Sequence, residues 1–424
     1  MRDNRRRWHG ALLQLTINAV GKGLAFLREV MVSSLFGVSH VTDAYFAIQQ
    51  LLSFVLSYMM GAFNLAFVPA YARYDEAKRG GSFLRPIFYA LVCLATALSI
   101  TLAMLPPEHL ALFLGFRHAN PLLDVFAEIL TLAILPIVVT GVAFGVLHGE
   151  RAHIAATLLA GIQSAAMLVA LVFFYLLAAD ATHLTQALPW SYTIGTFLTG
   201  IIALAVLKKR IKKADSRIPA LEFYNFGRSL AASSIENIGF NLNQLSNVYF
   251  AARLGEGLVA VNAFAMRIGM LPLSLVSSQL GQIYQSAAAR AMARDTALPR
   301  ITFFLFCLPN VAIALAMAMF GEALVRLIYE RGSFSPEHTA IVTALIFPYS
   351  IYFFVMSTNQ LAARHYFAAG AGPHYTAAMT VAYVFAFAAK SVISVTLADI
   401  VWACVVAEGA VAIWLSASIA LGKK

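Results

Sequence analysis

The sequence has little charge for its length, and it lacks the motifs of soluble enzymes. Only 12% of its 424 residues are charged, whereas soluble domains carry about 25%. Its three cysteines, Cys93, Cys307 and Cys404, are scattered through apolar segments, which excludes a disulfide framework or a zinc motif, and we expect them in the protein core. No phosphate-binding loop, dinucleotide fingerprint, HExxH or GxSxG motif is present. We therefore expect neither an enzyme nor an ATP-driven pump, and no cofactor or metal.

The composition of the chain is dominated by apolar residues. They make up 60% of the chain, and the mean hydropathy is +0.77. Apolar runs of about 20 residues recur along the whole sequence, which is the length of a membrane-spanning helix. The period-two alternation of barrel strands is not seen. The sequence predicts an all-α polytopic membrane protein with about twelve transmembrane helices. The predicted spans are 11–36, 42–72, 83–105, 122–147, 153–179, 187–207, 223–251, 258–288, 299–327, 338–368, 374–397 and 400–421.

The net charge of +10 is distributed unevenly among the predicted loops. Basic residues cluster on one side of the membrane: Arg2, Arg5, Arg6, Arg7, Arg73, Lys78, Arg79, Arg151, 208–213, Arg217, Arg290, Arg294, Arg300, Lys423 and Lys424. The opposite loops contain only Arg117, Arg253, Arg326 and Arg331. This positive-inside bias predicts that both termini are cytoplasmic. It also explains the charge without nucleic-acid binding.

The midpoint of the chain carries its longest polar stretch, KKRIKKADSRIPA at 208–220. It predicts a boundary between two six-helix lobes, residues 1–214 and 215–424. A weak internal repeat supports this division, since SSLFGVSHVTDAYFA (33–47) resembles AARLGEGLVAVNAFAM (251–266). The alignment pairs Gly37 with Gly255 and Asp43 with Asn262. Parallel repeats of this kind occur in transporters whose binding site lies at the repeat interface.

The first predicted span carries a polar stripe. At about 100° per residue, one helix face contains Gln14, Asn18, Gly21, Lys22 and Glu29, with Arg28 at its edge. An ionisable residue at the membrane centre costs about 2.5–3.5 kcal/mol and normally faces a bundle interior or a watery cavity. Two interpretations remain: groups that bind a ligand, or a clamp in which Arg28 or Lys22 pairs with Glu29 to tie helices together.

Other spans also carry polar groups. The seventh, SSIENIGFNLNQLSNVYF, is rich in amides, among them Asn241 and Gln244. Further ionisable residues within spans are Asp43, Arg228, Glu236, Arg267, Arg364, Lys390 and Glu408. The pattern indicates a hydrated cavity lined by spans one, two, seven and eight. Basic groups outnumber acidic ones, which favours an anionic cargo, since Lys and Arg bind phosphate oxygens well. Asp43 has a second interpretation as the N-cap of its own helix.

Several segments resemble one protein family. LREVMVSSLFGVSHVTDAYFAIQQL (27–51) and GAFNLAFVPAYARY (61–74) resemble the start of the MurJ/MviN lipid II flippases, of the multidrug/oligosaccharidyl-lipid/polysaccharide exporter superfamily. FAMRIGMLPLSL (264–275) and LVRLIYERGSFSPEHT (324–339) resemble the family's eighth helix and its E-R-G-x-F-T signature. The resemblance implies two six-helix lobes around a central cavity. It also implies movement of an undecaprenyl-pyrophosphate-linked saccharide, with lipid II favoured, from the cytoplasmic to the periplasmic leaflet of the bacterial inner membrane.

The resemblance also implies a set of cargo-binding residues. Lys22, Arg28 and Arg267 would hold the pyrophosphate, with Glu29 and Asp43 as the family's acidic residues. Asn241 and Gln244 are expected to meet sugars or water. The chain departs from the family in span two, which reads FVLSYMMGAF (54–63) where the family has an Arg pair and a Glu. Characterised members also have two further helices.

Three alternatives remain open. In the first, the cargo is another polyprenyl-linked glycan, such as an O-antigen or exopolysaccharide unit. In the second, the chain is a drug or cation antiporter of the same superfamily, although such a cargo favours an acidic cavity. In the third, the chain is a transport-inactive scaffold. The expected partners are a lipid-linked oligosaccharide, membrane lipids and cell-envelope biosynthesis enzymes.

Overall fold

The computed structural model describes residues 2–76, 80–117, 120–178, 180–211, 220–277, 280–281, 283–285, 300–369 and 371–421. Within these ranges the chain forms helices and turns and contains no strand. The helices are α1 (Arg2–Phe36), α2 (His40–Tyr58), α3 (Asn64–Glu76), α4 (Gly80–Ala103), α5 (Pro107–Phe113), α6 (Pro121–Thr131), α7 (Ile134–Gly149), α8 (His153–Leu177), α9 (Ala181–Ile211), α10 (Ala220–Leu254), α11 (Leu258–Pro272), α12 (Arg300–Tyr329), α13 (Pro336–Ala368), α14 (Gly372–Ile393) and α15 (Leu397–Leu421). Two π-helical segments, Met59–Phe63 and Leu273–Ser277, follow α2 and α11.

The predicted fold class is confirmed: this is an all-α polytopic membrane protein with a twelve-helix fold. In the described part of the chain, eight helical runs are long and apolar enough to cross a membrane, and α6 with α7, bent by 42°, makes a ninth. The remaining predicted spans correspond to the polar helices α1 and α10 and to the shorter α11. The short helix α5, between spans three and four, was not predicted.

Internal contacts divide the chain into two compact units. Unit 1 comprises residues 1–32, 47–112 and 118–238, and unit 2 comprises 33–46, 113–117 and 239–424. Four helices therefore have residues in both units: α1, α2, α5 and α10, where the change in α10 falls between Ile238 and Gly239. The predicted lobe boundary at 214/215 lies outside the described residues, and the lobes 1–214 and 215–424 remain a prediction.

A row of glycines brings two helices of unit 1 together. Gly141, Gly145 and Gly149 lie four residues apart on one face of α7. A β-carbon at Gly145 would lie 2.7 Å from the ring of Phe67, and one at Gly149 would lie 2.7 Å from the ring of Tyr71. Small residues at this spacing let membrane helices approach closely. The aromatic rings of α3 fill the room that the missing side chains leave.

In unit 2 the ERGSF motif holds the end of α1. Gly332 has a φ of +60°, and a β-carbon there would lie 2.3 Å from the backbone oxygen of Ser34. The turn lets the backbone N–H of Ser333 donate to that oxygen at 2.7 Å, while the Ser333 hydroxyl donates to the backbone oxygen of Leu35 at 3.1 Å. The last carbonyls of a helix lack partners within the helix. The motif thus satisfies the C-terminus of α1 and helps to place residues 33–46 in unit 2.

One expectation about a single residue needs correction, and the repeat shows one difference in backbone conformation. Gly37 and Gly255, which the sequence alignment paired, each follow directly on the last residue of a helix, α1 and α10. The left-handed backbone is at Gly37 (φ +56°) in the first copy but at Gly257 (φ +80°) in the second. Cys93 is exposed, whereas Cys307 and Cys404 are buried as expected. The prediction for Cys93 was wrong because the lipid-facing surface of a membrane protein is as apolar as its core.

Candidate functional site

Arg28 and Glu29 form a buried ion pair on α1, within unit 1. Their side chains are 11% and 10% exposed, and Nη2 of Arg28 donates to Oε1 of Glu29. Nη1 of Arg28 lies 2.9 Å from the sulfur of Met167 on α8. The pair therefore ties α1 to its neighbour, as the clamp interpretation expects. The alternative prediction, that Arg28 binds a ligand, is compatible with these contacts and stays a prediction.

Lys22 lies on the same helix but in a different environment. Gly21 is buried, and a β-carbon there would lie 3.2 Å from the backbone of Gly161 on α8. Lys22, the next residue, is exposed. The contact between the two glycines packs α1 against α8, and the Lys22 side chain beside this contact stays accessible. Glu29, the acidic member of the predicted clamp, is paired with Arg28.

Asp43 caps a helix other than its own. It is 1% exposed, and its carboxylate accepts hydrogen bonds from the backbone N–H groups of Gly257 and Ala260, the latter at 2.7 Å. These groups lie at the start of α11, whose N-cap residue Gly257 has no side chain to satisfy them. A carboxylate at a helix N-terminus also interacts favourably with the helix dipole. The N-cap interpretation was therefore close, but the capped helix is the eighth span and not the second.

Arg267 stacks on an aromatic ring within unit 2. Its guanidinium carbon lies 4.1 Å from the centroid of Phe46, one turn after Asp43 on α2. Phe46 in turn packs edge-on against Phe264, with the ring centroids 5.2 Å apart. Such a cation–π contact orients the planar guanidinium and leaves its edge for polar partners. Arg267 itself is half-buried.

The first half of α10 uses its polar side chains to bond α2. Ser233 donates to the backbone oxygen of Ala62 at 2.9 Å, and Asn237 donates to the backbone oxygen of Ser57 at 3.3 Å. The hydroxyl groups of Tyr58 and Ser234 lie 3.0 Å apart. These contacts surround the π-helical segment Met59–Phe63, where the regular backbone hydrogen-bond ladder is interrupted. Some of the polar side chains of α10, which the sequence analysis interpreted as the lining of a cavity, thus form hydrogen bonds between helices.

The second half of α10 takes part in a buried charged cluster in unit 2. Lys390 of α14 donates to the backbone oxygen and Oδ1 of Asn243 at 3.2 and 2.6 Å and to the hydroxyl of Ser246 at 2.9 Å. Nδ2 of Asn243 donates to Oε1 of Glu408 on α15 at 3.1 Å. The hydroxyl of Tyr352, on α13, donates to the same oxygen at 2.8 Å. Lys390 and Glu408 are both 0% exposed, and we call these five residues the Lys390–Glu408 cluster.

The two amides predicted on α10 lie beside this cluster. Asn241 and Gln244 are buried, and Oε1 of Gln244 accepts a hydrogen bond from Nδ2 of Asn247 at 3.3 Å. Their predicted contact with sugars stays a prediction. The sequence showed Lys390 and Glu408 as isolated charges in neighbouring spans, but it did not show that Asn243 bridges them. The only sequence feature that could have indicated the cluster is a single Lys in one span followed by a single Glu in the next span.

The structure brings together some of the predicted site residues and not others. Arg28 and Glu29 are in direct contact, and Arg267 packs against the helix turn that follows Asp43. In the part of the chain that the structure describes, no group of three or more His, Cys, Asp or Glu side chains is arranged to hold a metal ion.

Comparison with known proteins identifies the family. A family model described as lipid II flippase MurJ matches residues 32–422. The probable lipid II flippase MurJ of Rhizobium meliloti (strain 1021) is 26% identical over 349 residues, which cover 77% of this chain and 64% of that protein. The lipid II flippase MurJ of Burkholderia cenocepacia is 27% identical over 366 residues, covering 78% and 66%. The chain thus spans slightly less than two thirds of the length of these relatives.

A solved structure agrees with this assignment at the level of the fold. The lipid II flippase MurJ in an inward closed conformation superposes with a TM-score of 0.83, covering 96% of this chain and 87% of that chain at 17% sequence identity. The match of the family model extends over nearly the whole chain, and it includes α11 and the ERGSF motif. The chain therefore belongs to the MurJ lipid II flippase family.

Proposed function

We propose that this protein is a flippase for a polyprenyl-pyrophosphate-linked saccharide, with lipid II as the first candidate. The observation that carries the proposal is the family match over residues 32–422, to which the named relatives add their own description as lipid II flippases. The helices that are long and apolar enough to cross a membrane support a role in transport. In this proposal the protein is a transporter and not an enzyme, and it works by alternating access in the bacterial inner membrane.

The basic residues within the helices supply the chemistry for an anionic headgroup. In the proposal Lys22, Arg28 and Arg267 bind the pyrophosphate, because guanidinium and ammonium groups form strong charge-assisted bonds with phosphate oxygens. Arg267 is pre-oriented by the ring of Phe46, which lowers the conformational entropy lost on binding. Asn241 and Gln244 are proposed to bond sugar hydroxyls or water. The hydrated central cavity predicted from the sequence belongs to this proposal.

The test of cargo identity is rescue of bacterial cells depleted of their own lipid II flippase. We expect growth to be restored by the wild-type protein and by Arg326→Ala, which removes an exposed arginine paired only with Glu322 and Glu330 among the described contacts. Arg267→Ala should not rescue at equal membrane expression. Failure of the wild type to rescue, despite normal expression in the membrane, would exclude lipid II as the cargo.

One sequence feature favours a second cargo. Span two contains no charge from Phe54 to Phe63, where the family has an arginine pair, so fewer cations are available for a headgroup. Lipid II carries acidic groups on its stem peptide in addition to the pyrophosphate. A headgroup without that peptide, as in O-antigen or exopolysaccharide units, needs fewer cations. Native mass spectrometry of the purified protein distinguishes the two, since the co-purifying lipid reveals its headgroup mass. Binding that does not depend on the pyrophosphate would exclude both flippase proposals.

The orientation in the membrane is part of the same proposal. The basic bias places both termini and the loop that follows α9 in the cytoplasm, and the ERGSF turn in the periplasm. Lys209→Cys, in the last turn of α9, should resist a membrane-impermeant thiol reagent added to intact cells, whereas Ser335→Cys, at the start of α13, should react. Labelling of Lys209→Cys but not of Ser335→Cys would show that the orientation is inverted.

A further inference from the structure

A fully buried carboxyl group in unit 2 has one oxygen without a hydrogen-bond partner. Oε1 of Glu408 accepts two hydrogen bonds, whereas its Oε2 is buried and has none among the described residues. Asn359 donates its Nδ2 to the backbone oxygen of Glu408 at 3.2 Å, and its own Oδ1 also has no donor there. Buried polar atoms nearly always have partners. Asn359 contacts the backbone of Glu408, and each of these two residues keeps one buried acceptor without a donor, which indicates a place for one additional hydrogen.

The charged and titratable groups around Glu408 allow its carboxyl group to bind and release a proton. The titratable groups that face it are Tyr352 on α13, Lys390 on α14 and Cys404 on α15, with Tyr383 of α14 next to Tyr352. From α10 the cluster receives only the uncharged side chains of Asn243 and Ser246. Lys390 is therefore the one positive charge at this place in the described structure. The cluster is neutral overall when Glu408 is ionised, and it carries one positive charge when Glu408 is protonated.

We propose that Glu408 is a proton-binding site, with Asn359 as the hydrogen-bond acceptor for the bound proton. The proton comes from bulk water and adds to Oε2 of the carboxylate. The resulting O–H donates to Oδ1 of Asn359, and release returns the proton to water. A metal cation would bind less well here than a proton, because the positively charged ammonium group of Lys390 already bonds the bridging amide of Asn243.

Proton binding changes how α10 is held. In the ionised form Lys390 and Glu408 attract each other through Asn243, so that α10, α14 and α15 are tied together. Protonation leaves the ammonium group buried without a counter-charge, which is unfavourable in a low-dielectric interior. We therefore expect protonation to loosen the second half of α10 from α14 and α15. Coupling of this event to lipid flipping rests on the proposed function, whereas proton binding itself does not.

Infrared difference spectroscopy of the purified protein tests proton binding. Spectra are taken in two buffers of different pH that both leave exposed carboxyl groups ionised, and in the wild type they should differ by a carboxylic-acid C=O band. The band should be missing in Glu408→Gln and unchanged in Glu337→Gln, which removes an exposed carboxylate at the start of α13. In Lys390→Met the band should be present in both buffers, because the charge that favours ionisation of Glu408 is gone. Identical difference spectra for the wild type and Glu408→Gln would overturn the proposal.

Asn359→Leu provides a second variant that leaves the charges in place. Removal of the acceptor should shift the frequency of the Glu408 band, since the acid O–H then loses its hydrogen bond. A band that disappears in Glu408→Gln but keeps its frequency in Asn359→Leu would show that the proton is held elsewhere on the carboxyl group. That outcome would contradict the proposed geometry, even when Glu408→Gln behaves as expected.

Flipping in proteoliposomes tests the coupling separately. We expect the rate at which the wild type flips a fluorescent lipid II to respond to the pH of the external buffer, and this response to be lost in Glu408→Gln but kept in Glu337→Gln. An unchanged pH response in Glu408→Gln would contradict the coupling. If the wild type flips no lipid-linked saccharide at all, the proposed function fails, while the infrared spectra still decide whether Glu408 binds a proton.

Discussion

In the part of the chain that the structure describes, each unit has a strongly buried acid–base pair, and these two pairs are built in opposite ways. Arg28 and Glu29 are adjacent in sequence, lie on one helix and retain about a tenth of their side-chain exposure. Lys390 and Glu408 lie on different helices, are fully buried and are joined by the amide of Asn243 on a third helix. The first pair needs only α1 to form. The second pair forms only when α10, α14 and α15 are packed together.

We expect this difference to separate charges that stabilise the fold from charges that bind cargo. Lys390 directs its hydrogen bonds to three acceptors on α10, so none of its donors is needed elsewhere. The guanidinium of Arg28 has five donors and meets a thioether as well as Glu29. A thioether is a weak acceptor that phosphate oxygens readily replace. We therefore expect the pair in unit 2 to determine stability, and the pair in unit 1 to affect transport more than stability.

The largest effect is expected for Lys390→Met. Removal of one partner of a buried pair costs about 3–5 kcal/mol, here because Glu408 must either stay ionised without a counter-charge or take up a proton. The melting temperature of the detergent-solubilised protein should fall strongly, and Lys390→Met/Glu408→Gln should recover most of the loss because it removes both charges. Lys208→Met, which removes an exposed lysine at the end of α9, serves as the control. A Lys390→Met protein as stable as the control would show that the cluster contributes little to the fold.

The next effect concerns Arg28, and the structure changes how it must be tested. Arg28→Ala alone would leave Glu29 buried and unpaired, so a loss of function could follow from misfolding. Arg28→Gln/Glu29→Gln removes both charges and keeps the side chains close to their original size. We expect this variant to melt near the wild type but to bind its lipid more weakly by about 1.5–3 kcal/mol, the range for hydrogen bonds to charged groups.

The two double variants together decide whether the comparison holds. Binding and flipping of lipid II should be lost in Arg28→Gln/Glu29→Gln and kept in Lys390→Met/Glu408→Gln, apart from the pH response. Wild-type flipping by the Arg28→Gln/Glu29→Gln protein would show that this pair is only a clamp between α1 and α8. Loss of flipping in both would show that neither pair is purely structural.

A smaller effect is expected for Asp43→Asn. Asp43 has no counter-charge and is held by backbone N–H groups of α11, so neutralising it leaves no buried charge behind. The amide keeps one acceptor oxygen but turns a donor toward the second N–H. Loss of a helix cap costs about 0.5–2 kcal/mol, and we expect a correspondingly small decrease in melting temperature. A decrease as large as that of Lys390→Met would mean that Asp43 does more than cap α11.

Much of the fold was predictable, because lipid imposes a length on each spanning helix. The predicted span 153–179 corresponds to α8 (His153–Leu177), and 400–421 to α15 (Leu397–Leu421). The helix α5 was missed since its seven residues are too few to span a membrane. The ERGSF motif was recognised from its letters alone; its contact with the end of α1 required the structure, since the two segments are about 300 residues apart.

The candidate site was less predictable for a related reason. Helical periodicity indicates which residues share a face of one helix, but it does not indicate what that face meets. The sequence therefore placed Asn241 and Gln244 among cargo-binding groups without showing that neighbouring Asn243 bridges Lys390 and Glu408. In the same way, the carboxylate of Asp43 could be identified as a cap, but the helix that it caps lies more than 200 residues away in the sequence.

The smallest effect is expected for Arg267→Lys, which tests whether the cargo needs the guanidinium group or only a positive charge at this position. Lysine keeps the positive charge, so the protein should insert and melt like the wild type. It cannot reproduce the planar fork of donors or the stacking of a guanidinium on Phe46, and a cation–π contact of this kind is worth about 0.5–1 kcal/mol at an accessible site. Titration of the purified protein with lipid II should therefore show binding weakened several-fold, with Arg326→Lys, at an exposed ion pair, unchanged. Equal binding by the wild type and Arg267→Lys would mean that the cargo senses only the charge at this position. A loss as complete as in Arg267→Ala would instead mean that the two-pronged geometry, held by the ring of Phe46, is what unit 2 contributes to recognition of the pyrophosphate.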